Sequence, residues 1–240
     1  DQYGNLVGPA NPSGTSVDAF GRARMSSPLT LFDSSLRYQD DPRFNYANSA
    51  TGSSIVYDAN SSTVSLNVRS SVANSYVYRE SSRVFPYQPG KSLHTIQSFC
   101  MAPAQTGLRQ RIGYFGSQNG IYLEQNGDTI NFVIRSFSSG SVVEDRVAQS
   151  SWNIDKLDGT GPSLLTLDLT KTQIFWTDIE WLGVGTVRCG FVINGQYIHC
   201  HSFHHSNIAN TTYMTTACLP LRVEIENTNS MANNAQMNVI

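Results

Sequence analysis

The side chains able to do chemistry gather in one stretch, Thr172 to Phe203, which reads TQIFWTDIEWLGVGTVRCGFVINGQYIHCHSF. His199 and His201 form an H-x-H pair, a spacing that puts two imidazoles on one strand face, where they can hold zinc if a third ligand is near. Trp176 and Tyr197 supply flat rings on which a sugar can stack, and Asp178, His199 and Arg188 supply hydrogen-bonding groups around them. Glu180 and Arg188 can form a cross-strand ion pair worth under about 1 kcal/mol when exposed, in which case packing accounts for the aromatic residues. A metal centre, a sugar platform and a structural ion pair therefore compete for the same residues.

Three antiparallel strands would position these groups. Residues two apart on a strand share a face, so Phe175, Thr177, Ile179 and Trp181 point one way while Trp176, Asp178 and Glu180 point the other. On the next strand Val187, Cys189, Phe191 and Ile193 form the apolar face. A hairpin loop Leu182–Thr186 centred on Val184 pairs Glu180 with Arg188, Asp178 with Gly190 and Trp176 with Val192. Asn194-Gly195 signals a tight two-residue turn, because both central residues must accept positive φ. That turn pairs Val192 with Tyr197, Gly190 with His199 and Arg188 with His201, and it sets Cys189 opposite Cys200. One face then carries Trp176, Asp178, Glu180, Arg188, Tyr197, His199 and His201, with a notch at Gly190. In this register Asp178 lies two strands from the histidines, roughly 10 Å away, too far for both to bind one ion. No metal and no cofactor is expected.

Composition narrows the function classes. A formal charge of −2 with 14% charged residues gives no basic footprint, so nucleic acid is not an expected partner. No apolar run is long enough to span a bilayer, so no membrane insertion is expected. Cys100, Cys189, Cys200 and Cys218 lack C-x-x-C spacing, which disfavours a zinc or redox motif; reduced, packed thiols suit assembly in a reducing cytoplasm.

Asp1 to Pro28 is rich in Gly, Pro, Ser and Asn and reads either as an extended arm that orders along a partner or as a linker. From Leu29 onward about a dozen short strands are separated by turn residues, among them Asn119-Gly120, Asn126-Gly127 and Ser139-Gly140. One helical turn is expected at Trp152–Leu157, and Leu219–Glu226 supplies a last strand. The pattern predicts an all-β, antiparallel β-sandwich of jelly-roll type over residues 29–227, preceded by an arm at 1–28 and followed by a polar tail at 228–240 that pairs little.

Trp176-Thr177-Asp178-Ile179-Glu180-Trp181-Leu182-Gly183 resembles the active-site strand of laminarinase-type glycosidases, whose pattern is E-[IL]-D-[IV]-E-[FW]-L-G. The resemblance implies the concanavalin A-like jelly roll, with Glu180 in the acid/base position and Asp178 in the tuning position. Trp176 stands where the family has its nucleophilic carboxylate. A retaining glycosidase needs two carboxylates flanking the bond, so the resemblance supports the fold and argues against the activity.

Several further blocks, in consistent order, are similar to a family of virion structural proteins of tailed phages, particularly cyanophages and other marine phages. They are Phe20–Ser26, Thr30–Ser34, Tyr87–Ser92, Arg111–Phe115, Asn119–Tyr122, Gln149–Asn153 through Asp158–Gly161, Trp181–Gly185 and Leu219–Glu226. This resemblance implies a non-enzymatic component of a virion: a capsid decoration, a head appendage or a tail part. Its implied partners are capsid, portal or tail proteins and further copies of itself, with Asp1 to Pro28 as the assembly arm. The alternatives are a carbohydrate-binding module that touches a host surface glycan, and a degenerate glycosidase.

Overall fold

The computed structural model describes residues 29–49 and 51–240. The arm expected at Asp1 to Pro28 lies outside the described residues. Residues 34–240 form one compact unit whose regular secondary structure is almost wholly β-strand.

Two seven-stranded antiparallel sheets make a sandwich. The strands of the first are β1 (Phe44–Asn48), β4 (Tyr76–Ser81), β6 (Leu108–Phe115), β7 (Gly120–Asn126), β8 (Thr129–Ser136), β9 (Val143–Ala148) and β13 (Leu221–Asn227), in the order β1-β4-β13-β6-β7-β8-β9. The strands of the second are β2 (Ser53–Asp58), β3 (Thr63–Val68), β5 (Leu93–Cys100), β10 (Gln173–Ile179), β11 (Val187–Ile193), β12 (Gln196–Phe203) and β14 (Ala235–Val239), in the order β12-β11-β10-β5-β14-β3-β2. The jelly-roll sandwich expected from the spacing of short strands is the fold observed.

The core lies between the inward faces, which the period-two alternation selects. Phe175 and Phe191 of the second sheet meet Phe132 of the first, with ring centroids 5.9 and 6.2 Å away. Trp152 comes in after β9 and stacks on Phe132 at 4.1 Å. Thr177, which alternation also sends inward, is fully buried and satisfied by a 2.7 Å hydrogen bond to Thr95. Around this layer Ile112, Tyr114, Ile121, Leu123 and Ile225 are completely shielded from solvent.

Two expectations need correcting. The tail pairs extensively: β14 lies between β3 and β5, with Met237 opposite Leu66 and Val239 opposite both Val64 and Phe99. The alternation Ala235, Met237, Val239 buries one face of a segment that is otherwise amide-rich, and this apolar stripe holds it in the sheet. The single helical turn forms at Gln149–Ser151 rather than at Trp152–Leu157, because Trp152 is already extended (φ −61°, ψ 134°) and drawn into the core.

Candidate functional site

The stretch Thr172 to Phe203 folds as three adjacent strands at one edge of the second sheet, as its alternation requires, but with two changes of register. The first hairpin turns one residue earlier than Val184. Leu182 and Gly183 both take positive φ (38° and 80°), and Gly185 N–H donates to Trp181 O at 2.7 Å. Asp178 therefore pairs with Arg188, and Trp176 with Gly190. Because the shift is two residues, the outward face keeps its members. Arg188 still reaches both acids, donating to Asp178 Oδ2 at 3.1 Å and to Glu180 Oε1 at 3.2 Å.

The second hairpin has the expected turn, with Asn194 at φ 52° and Gly195 at φ 75°, and the expected pairs Val192–Tyr197 and Gly190–His199. Beyond them a β-bulge intervenes. Cys189 pairs with His201 and Arg188 with Ser202, leaving Cys200 as the extra residue. A bulge moves every later side chain to the opposite face. His201 is accordingly absent from the outward face: it is buried, stacks toward Phe132 at 6.4 Å and accepts a hydrogen bond from Asn153 N at Nδ1. Burial, reinforced by nearby His199, lowers its pKa from the ordinary 6.5 to about 4. Cys189 and Cys200 are buried free thiols, each pushed up chiefly by burial.

On the outward face Trp176 occupies the notch. A Cβ at Gly190 would stand 2.7 Å from the indole and 2.0 Å from Ile198 O, so only glycine allows the ring to lie there. Trp176 Nε1 donates to Phe191 O at 3.2 Å, and the side chain is only 6% exposed. The indole is thus a floor rather than the open stacking surface expected from sequence. His94, Tyr197 and His199 surround it with ring centroids 5.7–5.8 Å away. Tyr197 stands out at 58% exposure.

His94 joins the site because β5 pairs with β10 and sets it across from Asp178. Burial lowers the His94 pKa while Asp178 pulls the other way, and burial likewise lowers that of His199. Asp178 Oδ1 is buried without a hydrogen-bond partner among the described residues. His204 and His205 lie beyond β12; His205 stacks on Tyr213 at 3.9 Å. Among the described residues no group of three or more His, Cys, Asp and Glu side chains could hold a metal ion.

A second polar surface escaped sequence reading. The outward face of the first sheet is laced with ion pairs. Arg111 bonds Glu224, Arg222 joins Glu224 to Glu80, and Arg109 bonds Glu226. Arg146 bridges Glu124 and Glu144, and Arg135 also binds Glu144. Tyr122 donates to Glu144 at 2.8 Å, and the Arg222 guanidinium lies 3.5 Å over the Tyr78 ring. Burial raises the Glu144 carboxyl, but hydrogen bonds from Tyr122 and Arg135 outweigh it and hold the pKa at about 2. The only signal was charge alternating with apolar residues on several strands, as in Arg222-Val223-Glu224-Ile225-Glu226. Which strands would bring those charges together was set by long-range pairing.

No family model and no curated protein matches this chain. Solved structures do match. A Bacillus licheniformis β-glucanase superposes with a TM-score of 0.51 at 10% identity, covering 85% of this chain and 93% of its own. A Lotus tetragonolobus seed lectin gives a TM-score of 0.47 at 9% identity over 85% and 93%, and a legume lectin-like domain from Entamoeba histolytica gives 0.46 at 10% over 89% and 96%. At such identities the likeness to the glucanase shows the fold alone.

Proposed function

We propose that this chain is a non-enzymatic structural component of a phage virion, a capsid decoration, head appendage or tail part that acts through contacts with neighbouring virion proteins and with copies of itself. The observation that carries the non-enzymatic half is at β10. The position that matches a glycosidase nucleophile is Trp176, which is buried and bonded to Phe191 O, while the remaining acids Asp178 and Glu180 are both committed to Arg188. The virion half is supported by the ordered blocks between Phe20 and Glu226. Mass spectrometry of gradient-purified particles tests it: the chain is expected at fixed stoichiometry with the major particle proteins, and recovery only from the soluble fraction overturns the reading. Deleting Asp1 to Pro28 is expected to lower occupancy on the particle.

A second reading, carbohydrate binding, is favoured by the exposed Tyr197 ring beside the Trp176 floor, with His94 and His199 next to it. Aromatic faces beside hydrogen-bonding groups are the usual material of sugar sites. A glycan array tests it, with Tyr197→Ala expected to abolish retention; equal retention by the variant removes this reading.

A further inference from the structure

β12 is the outermost strand of its sheet, so no strand of the sheet covers its outer edge. Bare edge strands invite pairing with a foreign chain. Here residues 153–155, which follow the single helical turn, lie along that edge and bond to it as a neighbouring strand would. The Asn153 side-chain amide pairs both ways with the Ser202 backbone: Nδ2 donates to Ser202 O at 2.9 Å, and Oδ1 accepts from Ser202 N at 2.9 Å. Ile154 N and Asp155 N both donate to Cys200 O at 3.1 Å. A further bond runs from Asn153 N to His201 Nδ1 at 3.2 Å. The strap is anchored at each end. Buried Trp152 donates from Nε1 to Val147 O, and the Asp155 side chain accepts from Leu157 N and Ser163 N. Between the anchors little apolar surface is covered, since Asn153 is exposed and Ile154 is 41% exposed. Hydrogen bonds are what hold it down.

One of those bonds is sensitive to mild acid. His201 Nδ1 can accept from a backbone N–H only while it carries no proton; an imidazolium would set its own N–H against that of Asn153. Burial holds His201 in the neutral form, with a pKa of about 4 instead of 6.5. His199 on the same strand and His204 beyond it act in the same direction, and Asp145 on β9 opposes them. Across the ladder Cys189 is a neutral buried thiol, as is the adjoining Cys200. The Asp155 oxygens of the strap are turned to Leu157 N and Ser163 N.

We propose that residues 153–155 are an acid-released strap: protonation of His201 breaks its bond to Asn153, the strap lifts between its anchors, and the edge of β12 at Cys200 and Ser202 opens to an added strand. The freed backbone groups are of the kind that strand addition uses. Lifting the strap lets water reach the ring, so the open form takes up its proton near the ordinary 6.5, well above the closed form. Linkage then makes the open form roughly tenfold or more commoner at pH 5 than at pH 7. The opening is local, with the aromatic layer around Phe132 and the β10–β11 ladder in place.

The test is amide hydrogen exchange of the whole chain at pH 7 and pH 5, corrected for the intrinsic pH dependence of exchange. The amides of Ile154, Asp155 and Ser202 are expected to lose protection roughly tenfold or more at pH 5, while those of β7 keep theirs. His201→Gln supplies a side chain that does not titrate in this range and is expected to give the same protection at both pH values. Asn153→Ala removes the two-way pairing with Ser202 and is expected to leave the same amides weakly protected already at pH 7. In the native chain, the His201 titration followed by NMR should share its midpoint with the loss of protection. Equal loss across β7 overturns the local strap in favour of general softening. An unchanged pH response in His201→Gln, or a His201 midpoint away from the opening, overturns the role of His201. Full protection in Asn153→Ala at pH 7 overturns the strap itself.

Discussion

Arg188 stands directly across the β10–β11 ladder from Asp178, with its Nη1 3.1 Å from the carboxylate, and reaches Glu180 diagonally at 3.2 Å. The direct pair is the better shielded, since Glu180 is half exposed and Asp178 largely covered. Replacing Arg188 with Leu is expected to lower stability by about 1 kcal/mol or less, because partly exposed ion pairs contribute little. A double-mutant cycle in urea should give a larger coupling of Arg188 with Asp178→Asn than with Glu180→Gln.

The glycine under Trp176 is far less tolerant. In Gly190→Ala the new methyl would meet Ile198 O at 2.0 Å, and a backbone carbonyl inside a ladder has nowhere to go. A loss of roughly 3 kcal/mol is expected from overpacking. It should appear as a lower urea midpoint, together with a change in tryptophan fluorescence as the indole is displaced.

The Arg111–Glu224 pair on the first sheet is almost wholly shielded, at 7% and 10% side-chain exposure. Removing one member leaves the other charged and buried, so Glu224→Leu is expected to cost about 3 kcal/mol or more. The double replacement Arg111→Met with Glu224→Leu should recover much of that loss. A double variant as unstable as the single one would show that the remaining partners, Arg222 and Glu226, depend on the pair.

Acid should destabilise the protein in two steps. In the folded chain His201 titrates at about 4 instead of 6.5, so the unfolded chain takes up the proton first. Stability is complete above pH 6.5 and falls as pH drops toward 4. Glu144, held at about 2 rather than 4.5, contributes stability that is lost below 4.5. Urea midpoints across pH 7 to 3 should decline throughout, and His201→Gln should flatten the upper part of the decline.

Thiol labelling should follow burial. Cys218 is exposed, whereas Cys189 and Cys200 are buried and pushed up by their surroundings. In the native state a disulfide reagent is expected to react fast with Cys218 and not with the buried two; in urea all four cysteines should react.

What was legible in the sequence was local. Period-two alternation located β10, β11 and β12, and Asn194-Gly195 set the pairing of Val192 with Tyr197. The bulge at Cys200 was invisible, since an extra residue in a strand has no signature of its own. It is what sends His201 to the core. The turn at Leu182 depends on a left-handed leucine (φ 38°), which propensity argues against and surrounding structure imposes. β1 and β14, rich in Asn, Ala and Gln, have little strand preference and are held by their neighbours. The place of His94 beside Asp178 is likewise tertiary, resting on β5 meeting β10.

The insertion of β14 between β3 and β5 also sets an order of events. Gln236 bonds Ser65 across 171 positions of chain, so β3 is synthesised long before the strand that will cover its inner edge. Until then Val64, Leu66 and Val68 border an open ladder, beside a gap that only the late strand can fill. Such long-range closure is slow, and an apolar strand with an unfilled edge can recruit the wrong partner while it waits. Yield of soluble chain should therefore depend on how quickly residues 235–239 are delivered, and a nascent chain stopped before them should be the aggregating species.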